Sequence, residues 1–239
     1  DDPSIKLFLL LLLGAGIAGA GWYFWNDRAA PTAVPVLEEA APEASQAEIA
    51  GPRHPLEVPS ISAASDATLV ALPRLDESDD YFQLALGDLF GANIGNLLVR
   101  EALIDKVVAT VDNLPRKHAS EKIRPIGRLT GSFTVDATGN TGPFYMSEAN
   151  FERYDRLLNL AELADLGEAE GMYRRFYPLL QVAYVRLGYP NGYFNDRVIE
   201  VIDHLLGTPD VSGPVELIQP NVLYEFADPE LEDLSSGRK

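Results

Sequence analysis

An uncharged apolar run near the start of the chain is the feature that most constrains its architecture. Leu7–Trp25 reads LFLLLLLGAGIAGAGWYFW, nineteen residues without a charge. A helix rises about 1.5 Å per residue, so this run just covers a hydrocarbon core of about 30 Å. Polar and charged residues follow at once in Asn26–Arg28. The run therefore predicts one membrane-spanning helix, within an anchor that comprises residues 1–28.

Aromatic residues close the apolar run and argue against a cleaved leader. The alternative is a signal peptide with Leu7–Leu13 as its apolar core and Ala18–Ala20 as its cleavage site. The apolar run continues past that site, however, and ends in amphipathic rings of the kind that favour the membrane–water interface. These interfacial aromatic residues are Trp22, Tyr23 and Trp25.

Small residues in the second half of the run predict close packing with other membrane helices. Gly14 and Ala18 are four residues apart, as are Gly16 and Ala20, and this spacing lets two helix backbones approach closely. The alternative is a bare anchor, because Gly and Ala are common in membrane helices. We expect integral membrane subunits, together with the lipid bilayer, to be the partners of this helix.

Charge indicates the orientation and excludes several classes of partner. Lys6 is the one base before the apolar run, and the acidic remainder follows it, which places the N-terminus in the cytoplasm and the rest in the periplasm of a bacterial inner membrane. With 36 acidic against 19 basic residues, the net charge is −17, which argues against nucleic acid as a partner. The absence of cysteine excludes disulfides, Cys-ligated metals and a thiol nucleophile.

Residues 29–77 have the composition of an extended linker. Seven prolines between Pro31 and Pro73 exclude a long helix, and Ala, Glu and Ser fill the intervals. Too few large apolar side chains are present to form a core. The segment is therefore predicted to be an acidic, Pro-rich extended linker between the anchor and the domain, and we expect it to run along a partner subunit.

Residues 78–239 have the periodicity of a helical globular domain. Apolar side chains repeat at helical spacing in five stretches, and residues 132–146 predict a small β-hairpin. Residues 215–217 and 222–226 predict short extended pieces. Pro178, inside the fourth stretch, predicts a kink or a break. The predicted helices cover residues 78–90, 93–111, 147–163, 168–187 and 195–206. The fold class is thus mainly α: a membrane helix, an extended linker, and a domain of about five helices with one hairpin.

Three segments of this domain resemble a known family. They are Val111–Arg116 (VDNLPR), Asn150–Tyr154 (NFERY) and Tyr173–Pro209. Together they resemble the bacterial envelope proteins described as domain of unknown function 3014, over about Leu72–Lys239. The resemblance implies one N-terminal membrane helix, a Pro/Ala/Glu-rich spacer and this domain, and it implies no activity and no catalytic residue.

No catalytic centre or cofactor site is predicted. Asp203 and His204 are adjacent on one helix, so their side chains diverge by about 100° and do not form a dyad. A structural role for His204 is favoured over a general base that borrows a carboxylate from elsewhere. Three scattered histidines without cysteine do not predict a metal site. The role of the basic loop 116–128 is left open.

Tyrosine and arginine concentrate in one stretch, which is the candidate interaction surface. Both residue types are favoured at binding hot spots because they combine a large contact area with a directed polar tip. The alternatives are a groove for a polymer or glycan, and core aromatics whose hydroxyl groups are satisfied internally. The candidate residues are Tyr173, Arg174, Tyr177, Tyr184, Tyr189, Tyr193, Asn195, Asp196 and Arg197.

These observations predict a non-enzymatic, single-pass membrane protein. We expect it to be a scaffold or accessory subunit of a larger membrane complex of the respiratory or photosynthetic type, with its helical domain in the periplasm. The alternative is a free periplasmic binding or assembly factor that holds peptide or cell-wall glycan on the Tyr/Arg surface.

Overall fold

The computed structural model describes residues 51–56, 72–137 and 142–239. The predicted membrane helix, with its small and aromatic residues, and most of the predicted linker lie outside these ranges. Within them, no helix combines the length and apolar character needed to cross a bilayer.

The described residues form a mainly helical domain, as the sequence predicted, but with seven helices in place of about five and with a four-stranded antiparallel sheet in place of a lone hairpin. The seven α-helices in this part of the chain are α1 (Asp79–Phe90), α2 (Leu103–Asn113), α3 (Ala149–Glu152), α4 (Asp155–Leu163), α5 (Leu166–Arg186), α6 (Phe194–Leu206) and α7 (Pro229–Glu232). The strands are β1 (Val135–Ala137), β2 (Phe144–Met146), β3 (Glu216–Ile218) and β4 (Glu225–Phe226).

Helix α2 lies at the centre of the core. It packs against α1, α5 and α6, and its wide apolar stripe leaves Ile104 and Val108 with no exposed surface. Phe82 of α1 meets Phe176 of α5 edge to face, with ring centroids 4.9 Å apart. The strong helical periodicity of α2 is explained by this position, because helices on several sides require a wide apolar stripe.

The second predicted helix starts later than expected. The sequence predicts one helix over residues 93–111, but residues Ala92–Asn96 form a short 3-10 helix and Leu98 then bridges Ile126 in extended conformation. Gly95 and Asn96 weaken a helix at this point. The start of α2 is instead determined by a residue outside the stretch 93–111.

A carboxylate from another helix caps α2. Asp79, at the first position of α1, accepts hydrogen bonds from the main-chain N–H groups of Ala102 (2.8 Å) and Leu103 (2.7 Å). Ala102 itself has a left-handed φ of 53°. This long-range cap satisfies donors that a helix otherwise leaves unpaired, and it explains why periodicity alone missed the boundary.

The third predicted helix is divided into α3 and α4. Buried Asn150 bonds both main-chain groups of Thr134, accepting from its N–H (2.9 Å) and donating to its carbonyl (2.6 Å). These two bonds hold α3 against the segment that precedes β1. At the junction, the N–H of Tyr154 bonds the carbonyl of Phe151 in a tighter, 3-10 pattern.

The predicted hairpin forms part of a four-stranded sheet. Strands β1 and β2 pair antiparallel, and β3 and β4 add to the β2 edge in the order β1-β2-β3-β4. Phe144 of β2 faces Leu217 of β3, which is 4% exposed. The sequence predicted short extended pieces at 215–217 and 222–226 but not their pairing with the hairpin.

Helix α5 does not break at Pro178, contrary to one of the two expectations. It runs from Leu166 to Arg186 with the proline inside it. Pro178 lies on the exposed side of the helix, so water can hydrate the carbonyl that loses its helical donor.

The folded part begins before residue 78. Leu75, in the short 3-10 helix Leu75–Glu77, is 8% exposed and belongs to the core, and the Ser78 hydroxyl donates to its carbonyl at 2.7 Å. The end of the predicted linker is therefore part of the domain.

Candidate functional site

A segment of the predicted linker is bound to the domain. Gly51–Leu56, sequence GPRHPL and here termed the strap, lies at the start of α6. The Asp196 carboxylate accepts the N–H of Arg53 at 2.9 Å on one oxygen and the N–H of His54 at 2.8 Å on the other. The Asn195 amide donates to the carbonyl of His54 at 2.9 Å. Asn195 and Asp196, here termed the clamp, thus contact three neighbouring main-chain groups.

The clamp is held in a defined orientation from beneath. The Tyr173 hydroxyl donates to the amide oxygen of Asn195 at 2.9 Å, which leaves the amide nitrogen directed at the strap. Asn195 and Asp196 are each 8% exposed, and burial raises the pKa of Tyr173 well above its usual range. Tyr177 packs edge to face on Tyr173, with centroids 5.9 Å apart. The neutral hydroxyl of a partly buried tyrosine therefore fixes the amide.

One strap side chain is also bound. The Arg53 guanidinium pairs with the carboxylate of Glu200, which lies one helical turn after Asp196. Arg197 contacts the other Glu200 oxygen at 3.3 Å. The bond from Arg53, assisted by Arg197, lowers the pKa of Glu200 below its usual range. The site combines main-chain recognition with a charge pair to a single side chain.

A buried carboxylate supports this pair from the core. The Asp112 side chain is 3% exposed and accepts hydrogen bonds from Arg197 (3.0 Å), Arg116 (2.7 Å) and the Tyr189 hydroxyl (3.1 Å). Arg197 donates in addition to the main-chain oxygen of Asp112 at 2.7 Å. A continuous chain of contacts therefore runs from Asp112 through Arg197 and Glu200 to the strap.

The turn before α6 is fixed by one amide and two rings. Gln181 of α5 donates to the carbonyl of Gly192 at 2.7 Å and accepts the N–H of Phe194 at 2.8 Å. Tyr184 stacks on Tyr189 with centroids 4.6 Å apart, and burial raises the pKa of Tyr184 to about 12. A Cβ at Gly192 would lie 2.9 Å from the Tyr184 ring, so this position requires glycine.

The structure brings most of the predicted interaction surface together, in two groups. Tyr173, Tyr177, Asn195 and Asp196 form the clamp and its support, with Tyr193 immediately before α6. The second group lies around Asp112 and the turn before α6, and one member of the predicted surface lies outside both groups. Tyr184, Tyr189 and Arg197 lie around Asp112 or the turn, and Arg174 pairs with Glu170 along its own helix.

Sequence reasoning missed Asp112, Gln181, Glu200 and the strap itself. The available signal was local: Pro52 and Pro55 enclose Arg53-His54 inside an acidic, Ala-rich stretch. Two prolines around a cation predict a segment with a restricted backbone, which is common in recognition sequences.

His204 and the basic loop make contacts within the domain. The His204 Nε2 lies 2.7 Å from the Ser235 hydroxyl, and burial, with Arg238 and Arg197 nearby, lowers the pKa of His204 below its usual range. In the basic loop, Lys117 pairs with Asp233 at 2.6 Å. Among the described residues, no three His, Asp or Glu side chains are grouped as a metal site would require.

The comparisons with known proteins give one match. A family model described as "Protein of unknown function (DUF3014)" matches residues 103–239. No curated protein and no solved structure matches the chain. The matched residues contain the clamp, Glu200 and Asp112, whereas the strap precedes them.

Proposed function

Because the chain belongs to the DUF3014 family, as its motifs predicted, and that family is described only as being of unknown function, we propose a role from its own residues. It is a non-enzymatic, single-pass membrane protein that acts as a scaffold or accessory subunit of a larger membrane complex, of the respiratory or photosynthetic type. Its N-terminal helix spans the bacterial inner membrane, and its helical domain lies in the periplasm.

The observation that carries this proposal is the bound strap. Asn195 and Asp196 contact the main chain of a segment that bends at Arg53 and His54, and Glu200 contacts its cationic side chain. These are the elements of polypeptide recognition: main-chain hydrogen bonds supply affinity, and a side-chain pair supplies selectivity. A domain that holds a polypeptide in this way is suited to assembly.

Binding of the strap also sets how far the domain can lie from the membrane. Residues 29–50 separate the predicted anchor from the strap, whereas residues 29–71 would separate it from a domain with a released strap. At about 3.4 Å per fully extended residue, the maximum reach is about 75 Å with the strap bound and about 150 Å without it. A bound strap therefore keeps the domain close to membrane partners.

Native purification tests the proposal. The full chain with a C-terminal tag is isolated in mild detergent, and its partners are identified and quantified by mass spectrometry. We expect membrane-protein subunits in fixed stoichiometry with the wild-type chain and with Asp203→Asn, an exposed substitution on α6. A chain that purifies alone would overturn the scaffold role.

The clamp also favours a second candidate, a periplasmic binding or assembly factor. The order N–H, N–H, C=O that the clamp contacts is that of a peptide main chain, so it favours peptide over cell-wall glycan as the bound polymer. A factor of this kind would hold many substrates in substoichiometric amounts. The same mass spectrometry separates the two roles by the ratio of partner to tagged chain.

A further inference from the structure

We propose that the clamp is a general binding site for Pro-Arg-X-Pro segments that bend at the Arg-X pair, and that the strap is its replaceable resident ligand. A segment of the same pattern on another polypeptide displaces the strap and takes its contacts. This inference rests on the proposed function and names the ligand class of its site.

The pattern of the ligand follows from which main-chain groups are bound. Asp196 needs two adjacent N–H donors, which Arg53 and His54 supply. Pro52 and Pro55 flank them and have no N–H, so no further donor has to be desolvated without a partner. The two prolines also restrict the backbone of the segment before it binds, which lowers the conformational entropy lost on binding.

Selectivity for arginine follows from the charges at the site. Arg53 is the strap's only formally charged residue, and it pairs with Glu200. Arg197, the cation beside Glu200, is already paired with buried Asp112. The negative charges of Asp196 and Glu200 are therefore not fully balanced by Arg197, and they favour a ligand that carries a positive charge.

The strap can leave without unfolding the domain. Gly51–Pro55 are exposed, Leu56 is only partly buried, and none of the six residues belongs to the hydrophobic core. The contacts described above between the strap and the domain are hydrogen bonds and one ion pair, and water can replace these polar contacts. A ligand with the same contacts can therefore compete for the clamp.

Peptide binding to the full chain tests the inference. The probe is a fluorescein-labelled peptide of residues 49–58, IAGPRHPLEV, and the readout is fluorescence anisotropy in detergent. The acceptor is the R53P/H54P chain, whose strap lacks both donors. We expect saturable binding, at least about tenfold weaker apparent affinity for the wild-type chain because its own strap competes, and loss of binding by a peptide with Arg53→Glu.

Matched substitutions show whether the clamp is the site. Adding Asp196→Asn to the R53P/H54P chain should weaken binding by about tenfold or more, whereas adding Asp203→Asn should leave it unchanged. A chain with Arg53→Glu serves as a second acceptor, and circular dichroism verifies that each variant is folded. No binding to either acceptor, or binding that Asp196→Asn leaves unchanged, would overturn the inference.

Two further arms identify the source of the ligand and separate this inference from the proposed function. An unlabelled full-length Asp196→Asn chain, which keeps the strap, is added as a competitor of the labelled peptide. Displacement of the peptide identifies a second copy of this chain as one source of the ligand. Peptide binding that this chain does not displace assigns the ligand to other proteins. A stoichiometric complex in native purification with no peptide binding would reject the inference and leave the scaffold role intact.

Discussion

At the scale of single residues, one buried carboxylate organises the cations beneath the clamp. Asp112 has a side chain that is 3% exposed, yet it accepts bonds from two arginines and a tyrosine. A buried charge is tolerated only when it is paired and hydrogen bonded, and removal of one partner leaves the other uncompensated. Arg197, whose side chain is 22% exposed, depends on Asp112 in this way, and it pairs in turn with Glu200.

Asp112→Asn is therefore expected to destabilise the domain by about 3 kcal/mol, because the amide cannot balance the half-buried Arg197. The measurement is urea unfolding followed by circular dichroism. Asp203→Asn, at an exposed acid of α6, is the matched control and should change the free energy of unfolding by less than about 0.5 kcal/mol. Equal effects at the two sites would show that the Asp112 network does not stabilise the fold.

His204 should make stability depend on pH. Its pKa is lowered in the folded domain by burial first and by nearby Arg238 and Arg197 second. Below about pH 6.5 the unfolded chain therefore binds more protons than the folded one, so stability is full above this pH and falls as the pH drops.

The measurement is the free energy of unfolding at pH 7.5 and pH 5.5 for the wild-type chain and for His204→Gln. Gln keeps a polar partner for Ser235 but does not titrate, so the variant should lose less stability between the two pH values. His54 and His118 are present in both chains and cancel in the difference. An equal loss in the two chains would contradict the prediction.

At the scale of elements, α6 serves the core and the clamp at once. Val198, Val201 and Ile202 face the core and are at most 5% exposed, while the first turn holds Asn195 and Asp196. Core packing orients the start of α6, and the Gln181 contacts hold the turn that leads into this helix. The clamp is thus built on a rigid element.

Helix α5 contains an avoidable cost at Pro178. An exposed proline inside a helix removes one main-chain hydrogen bond, and Ala would restore it. Part of the gain is offset because proline also restricts the unfolded chain. We expect Pro178→Ala to raise the free energy of unfolding by about 1–2 kcal/mol.

The same urea titration measures this effect, with Val182→Ala as the control. Val182 lies one turn further along α5 and is 49% exposed, so its replacement should change stability by only about 0.5 kcal/mol. A loss of stability in Pro178→Ala would mean that the proline ring makes a contact worth more than the missing hydrogen bond.

At the scale of the whole molecule, the strap holds part of the predicted linker against the domain. Trypsin cleaves after Arg53, but only when the segment is free to enter the protease. We expect cleavage of the full chain after Arg53 to be about tenfold faster in Asp196→Asn, because the charge-assisted bonds to the strap are lost. Mass spectrometry of the products follows this single bond.

Asp203→Asn should be cleaved after Arg53 at the wild-type rate, since that substitution is on α6 but outside the clamp. Cleavage in all three chains at the same rate would show that the clamp does not retain the strap in solution.

The family and the mainly helical class could both be predicted from sequence, because each depends on local patterns. The stripe of α2 and the motif around Tyr173–Pro209 are examples. The predictions were wrong where a residue distant in the chain determines a helix boundary. Asp79 caps α2 from another helix, so α2 begins at a residue that periodicity does not mark. Asn150 binds Thr134 in the segment before β1, and the predicted third helix is divided in a way that periodicity does not mark either.

Local patterns along the chain are thus enough to predict the apolar segments, the helical class, the family and the concentration of Tyr and Arg before α6. The contacts of Asp196 with Arg53 and His54, more than 140 residues away in the chain, and the support from buried Asp112 depend on tertiary packing. The physical reason is that periodicity reports which face of an element is buried, whereas hydrogen bonds between distant segments depend on how those faces pack.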